Sequence, residues 1–154
     1  MKNILLAVDD TKSSIRTCEI LIDILGGCLP ENLLLLYVEK MEGGSVMDDL
    51  LLSDSEVSTL KEALQGTEHQ ELLDKKAAGI LAYFADMLAA KGISSVKKIV
   101  REGHPAEEIM AAADEEQVDM IVMGSRSQRM HNLFMGSVSR EVANNAKIPV
   151  LLVR

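Results

Sequence analysis

VDMIVMGSRSQRMHNLFMGSVSREVANNAKIPVLLV, residues 118–153, decides the fold. A largely apolar run, VDMIVM (118–123), stops at Gly124. A loop of mixed polarity follows. GSVSREVANNA (136–146) then reads as a helix, and IPVLLV (148–153) as a second apolar run. Short apolar runs without polar alternation suit strands buried on both faces. Two such strands joined through a helix make a parallel crossover unit.

The same alternation extends outward through the chain. ILLAV (4–8) is another short apolar run. Ile15, Cys18, Ile22 and Leu25 recur at spacings of three and four, an amphipathic helix ended by Gly26-Gly27 and capped by Ser13 or Ser14. LLLLYV (33–38), entered through Pro30, reads as a second strand. A helix from Gln70 to Lys91 carries Leu73, Ala77, Ile80, Leu81, Phe84 and Leu88 on one stripe, and Gly92 stops it. VKKIV (96–100) is a third strand. Pro105 opens the next helix, whose Glu107 and Glu108 complement the helix dipole as a solvated first turn. VDMIVM and IPVLLV are then the fourth and fifth strands. This order predicts an α/β fold, a single-domain open five-stranded parallel sheet with helices on both faces, occupying residues 1–154. One long excursion, 39–69, is acidic, Gly-punctuated and weakly periodic, with a short helical piece near 55–64 and His69 at its end. Such a segment suits a lid or a partner site.

Bulk properties narrow the function. A net charge of −8 opposes nucleic-acid binding through a basic field and docking on anionic membrane. No apolar stretch approaches bilayer length, and the N-terminus lacks the pattern of a signal peptide. Cys18 and Cys28 form no CxxC motif and read as buried or half-buried thiols in a reducing, cytoplasmic setting.

In an open parallel sheet, ligands bind beyond the carboxyl ends of the strands. Three strand ends qualify here: Asp9-Asp10, Val38-Glu39, and Gly124 onward. Asp9-Asp10 could belong to a phospho-accepting receiver domain. That reading fails, because GGSVM before Asp48-Asp49 is no strand and the final strand carries no following Pro-preceded Lys. In the Gly124 segment, Gly136-Ser137 opens a helix whose free N–H groups form an anion site, and Ser137 can cap it. Arg126 and Arg129 add cationic donors. The spacing alone also fits ordinary punctuation, and neither GxxxxGK[ST] nor GxGxxG occurs. His104 flanks a helix start at Pro105, and His131 lies in the loop. No catalytic set has recognisable spacing, so an enzyme is the weaker class.

MGSRSQRMHNLFMGSVS (123–139) resembles the signature of the universal stress protein family, G-x-x-G, a spacer, then G-[S/T]. ILLAVDDTKSS resembles the family's first strand ending in V-D-G-S. REGHPAEEIMAAADEEQVDMIVMGSRS is similar to its G-x-P-A-E-x-I and D-x-I-V-M-G-S block, and IPVLLVR to its closing strand. The resemblance covers nearly the whole chain. It implies a Rossmann-like, adenine nucleotide alpha-hydrolase-like fold, a homodimer and a stress-response or regulatory role through a protein partner still to be found. For the ATP-binding branch it implies ATP or another adenine nucleotide as ligand, with or without Mg²⁺. Ala7 and Val8 then lie near the adenine, with Asp9 at the ribose and phosphates. Val38 offers backbone to the adenine. Met123 and Gly124 wall the nucleotide. Arg126, Ser127, Arg129, Gly136, Ser137 and Val138 serve the phosphates. Ser127 replaces the second glycine of the signature and Asp10 another glycine. Those departures favour an interaction dimer of the same fold without nucleotide; a weak ATPase is a further alternative, for which the sequence names no positioned acid or base.

Overall fold

The computed structural model describes residues 2–40, 68–125 and 135–154. The expected helical piece near 55–64 and the loop residues Arg126, Ser127, Arg129 and His131 lie outside the described residues. The strands are β1 (Asn3–Val8), β2 (Asn32–Lys40), β3 (Val96–Gly103), β4 (Met120–Gly124) and β5 (Val150–Val153). The helices are α1 (Lys12–Leu25), α2 (Glu68–Ala89), α3 (Pro105–Glu115) and α4 (Ser137–Asn145). All four ladders are parallel, in the order β3-β2-β1-β4-β5. The direction of winding reverses between β1 and β4.

Strand alternation sorts the side chains onto two faces. Ile4, Leu6, Val8, Leu33, Leu35, Tyr37 and Val122 pack with Cys18, Leu21, Ala77, Leu81, Phe84 and Leu88 under α1 and α2. Leu5, Leu34, Leu36, Ile121 and Met123 pack with Ala106, Ile109, Ala113 and Val142 under α3 and α4. The α2 stripe foreseen from its spacing is this inner line.

Glycine ends two helices as expected. At α2, Ile93 N–H bonds Leu88 C=O and Gly92 N–H bonds Ala89 C=O, both at 3.0 Å, with Gly92 at φ +85°. Buried Ile93 and Leu88 supply the apolar contact of this left-handed stop. α3 ends in the same way without a glycine: Val118 bonds Ala113 C=O, and Gln117 takes φ +49°.

Some boundaries differ from the sequence reading. β2 continues through Lys40 and α2 starts at Glu68, so the excursion is shorter than 39–69. Cys18 is buried but Cys28 is exposed, because it follows the α1 stop in a surface turn. Burial lifts the Cys18 thiol to about 11.

Candidate functional site

The β1–α1 turn is built by its own polar side chains. The Asp9 carboxylate oxygen Oδ1 accepts from Thr11 N–H at 3.0 Å, from Thr11 Oγ1 at 2.5 Å and from Ser14 Oγ at 2.6 Å. Thr11, rather than Ser13 or Ser14, is the N-cap of α1, accepting from Ser14 N–H. Ser14 is instead drawn inward to the Asp9 carboxylate. Asp10 turns away to Lys76 of α2, Oδ2 to Nζ 3.0 Å. Its charge is thus paired on the α1–α2 side.

Close by, burial together with Asp74 and Glu102 raises the pKa of Glu39, which Lys76 only partly offsets. Glu39 is 5% exposed, and its Oε1 has no hydrogen-bond partner among the described residues. Burial also raises the Tyr37 phenol, with Asp10, Glu39 and Asp9 adding to the shift and Lys76 opposing it.

Gly124 has a packing reason of its own. A Cβ there would lie 2.5 Å from Ser13 Oγ and 3.2 Å from Thr17 Oγ1. The start of α1 therefore rests on the end of β4 where a side chain would stand. Next to it, Ser125 N–H bonds Val153 C=O, and Ser125 C=O accepts from Gly136 N–H at 2.9 Å and Ser139 Oγ at 3.1 Å. These bonds pin the start of α4 to the carboxyl end of β4. Ser125 and Ser139 were not singled out in the sequence, although Ser125 follows Gly124 directly and Ser139 lies three residues after Gly136. The Ser125 hydroxyl is buried and has no partner among the described residues.

Gly136, not Ser137, is the N-cap of α4. It brings no capping side chain, and the first turn holds no acid. Arg140 N–H makes the first bond back to Gly136 C=O, so the N–H groups of Ser137, Val138 and Ser139 precede the helical ladder. By contrast, α1 has its Thr11 cap and α3 has Glu107 and Glu108.

Ala7, Val38, Met123 and Val138 share the α3–α4 face of the sheet. Val8 points to the opposite face, into the core beneath α1 and α2, so only its backbone is available at this edge. The β1–β2 ladder ends at Val8 and Tyr37. From Val38 onward, β2 therefore has no ladder partner on the β1 side among the described residues. A cavity of about 350 Å³ lies on the other face, between α1 and α2, lined by Asp9, Asp10, Thr11, Ile15, Lys76, Gly79, Ile80 and Phe84 among others. None of Ala7, Val38, Met123 or Val138 lines it. Asp9 at the end of β1 thus borders this cavity, whereas Ala7, Val38, Met123 and Val138 lie on the opposite face.

The family model of the Universal stress protein family matches residues 1–154. A Thermus aquaticus relative, "Universal stress protein in QAH/OAS sulfhydrylase 3'region", is 42% identical over 71 residues, 46% of this chain and 52% of its own. The matched stretch spans about half or less of the length of such curated relatives. The structure of MJ0577 from Methanocaldococcus jannaschii is 25% identical, covers 99% of this chain and 94% of its own, and superposes with a TM-score of 0.76. A universal stress protein solved in complex with cAMP is 18% identical, covers 99% of this chain and 96% of its own, and has a TM-score of 0.65.

Proposed function

Because the chain belongs to the universal stress protein family, we propose that it is a stress-response protein that binds an adenine nucleotide, ATP with or without Mg²⁺. The proposed site is the carboxyl edge of the sheet at the β1–β4 reversal, where open parallel sheets take ligands. The observation that carries this reading is the start of α4. Its N-cap Gly136 brings no capping side chain, and its first turn holds no acid. Such a terminus favours phosphate through its N–H donors and dipole.

The residues fit the rest of the ligand. Ala7, Val38 and Met123 offer an apolar wall for a purine, and the unpaired β1 side of β2 offers backbone groups to its edge. Asp9 stands at the ribose side, with Oδ1 already engaged by the turn. Gly136, Ser137 and Val138 would receive phosphate, with Arg126, Ser127 and Arg129 from the connecting loop. A fold relative solved with cAMP supports an adenine nucleotide. In this reading the protein acts as a cytoplasmic homodimer, with the nucleotide state read by a protein partner.

Calorimetry with ATP, with and without Mg²⁺, tests it on the wild type and Gly136→Asp. Gly136 has φ −61° and ψ 153°, which Asp adopts freely, and Asp is a favoured N-cap. The variant therefore keeps its stability or gains roughly a few tenths of a kcal/mol, yet places a carboxylate where the phosphates belong. Wild-type binding that Gly136→Asp abolishes supports the site. A folded wild type that gives no heat and carries no co-purified nucleotide defeats it, and leaves the interaction dimer.

A further inference from the structure

Away from that edge, a second group of side chains converges between α3 and α4. His104 is the N-cap residue of α3, yet its side chain makes no capping hydrogen bond. Its Nε2 instead lies 3.8 Å from Oε2 of Glu141 on α4. That is too long for a hydrogen bond. It is close to the separation of two donors sharing one tetrahedral metal ion, about 3.3–3.6 Å for bonds of 2.0–2.2 Å. Glu107 completes the set: one ligand atom from each of the three lies within 4.8 Å of the others.

The two acids in the first turn of α3 have separate roles. Glu108 faces Arg101, Oε2 to Nη1 4.0 Å, whereas Glu107 turns to His104 and Glu141. His104 and Glu107 are three residues apart, the spacing of neighbours on one helical face. Glu141 comes from a helix fixed against α3 by Ala106, Ile109, Ala113 and Val142 in one buried cluster. The backbones are thus held, while exposed His104 and Glu107 and half-buried Glu141 can close the remaining distance by rotamer changes.

We propose that His104, Glu107 and Glu141 bind one divalent transition-metal ion of the zinc class. One imidazole and two carboxylates suit Zn²⁺ and its first-row neighbours, whereas Mg²⁺ prefers oxygen donors throughout. Three protein ligands leave at least one position for water. The ion ties the start of α3 to the second turn of α4.

The test uses the full chain, freed of metal by chelation and without nucleotide, so its result is independent of the nucleotide site. Titration calorimetry with ZnCl₂ is expected to show one site, and the same range of MgCl₂ none. His104→Ala and Glu141→Gln should each weaken Zn²⁺ at least about tenfold, with an unchanged circular dichroism spectrum. No saturable Zn²⁺ binding overturns the proposal. So does Zn²⁺ binding that both variants leave intact, which assigns the ion to other ligands such as Cys28. Equal binding of Mg²⁺ overturns the metal class.

Discussion

Gln117 holds a backbone conformation that its side chain resists. It occupies the left-handed position of the α3 stop at φ +49°, where α1 and α2 use Gly26 and Gly92. A side chain there costs about 1–2 kcal/mol, offset in part by the freedom that glycine has in the unfolded chain. Gln117→Gly should therefore stabilise the protein by about 0.5–1 kcal/mol, read as a higher urea midpoint at unchanged m-value. Glu39 carries a different strain. Its folded pKa is raised, chiefly by burial and then by Asp74 and Glu102. The ionised side chain thus opposes folding at neutral pH. That penalty fades as pH falls through the folded pKa and is gone below the ordinary value of 4.5. Glu39→Gln should raise Tm at pH 7 and lose its advantage in acid below that value. An equal gain at both pH values would assign the effect to packing instead.

Among the elements, α1 and β4 meet at a close junction. The inner line of α1 near its start is Ser14, Thr17 and Cys18, small residues that let the helix lie close to the sheet. Gly124 accepts that approach by having no Cβ. Gly124→Ala is expected to cost about 1–3 kcal/mol, the usual range for overpacking. Because the nearest atom is Ser13 Oγ at 2.5 Å, Ser13→Ala should recover much of that loss in the double variant. Full additivity of the two substitutions would place the clash elsewhere. Sequence spacing identified Gly124 as a strand stop but not as a packing site, because its partner lies on a helix near the other end of the chain. The N-cap was misplaced for a related reason. Thr11, Ser13 and Ser14 can all cap a helix; Thr11 takes the cap, with Asp9 Oδ1 accepting from the hydroxyls of both Thr11 and Ser14.

At the level of the whole molecule, β1, β2, β4 and β5 were legible as short, largely apolar runs closed by glycine or polar residues, and β3, an edge strand with two lysines, by its place between two helical patterns. Ala7, Val38 and Met123 meet on one face through strand alternation. The same alternation sends Val8 to the other face, a distinction the resemblance did not make. The Asp10–Lys76 pair was not legible, since nothing in a local pattern relates a turn after β1 to the middle of α2. The strand order also bears on how the chain is made. β1 is central, yet only β2 and β3 follow it early in synthesis. Its other edge receives a partner only when Met120–Gly124 has emerged. Until then the nascent half-sheet presents Ile4, Leu5 and Leu6 along a bare row of amide and carbonyl groups, open to the same strand of a neighbouring chain. Closing that edge late makes the interval before β4 arrives the period when the growing chain is most prone to aggregation.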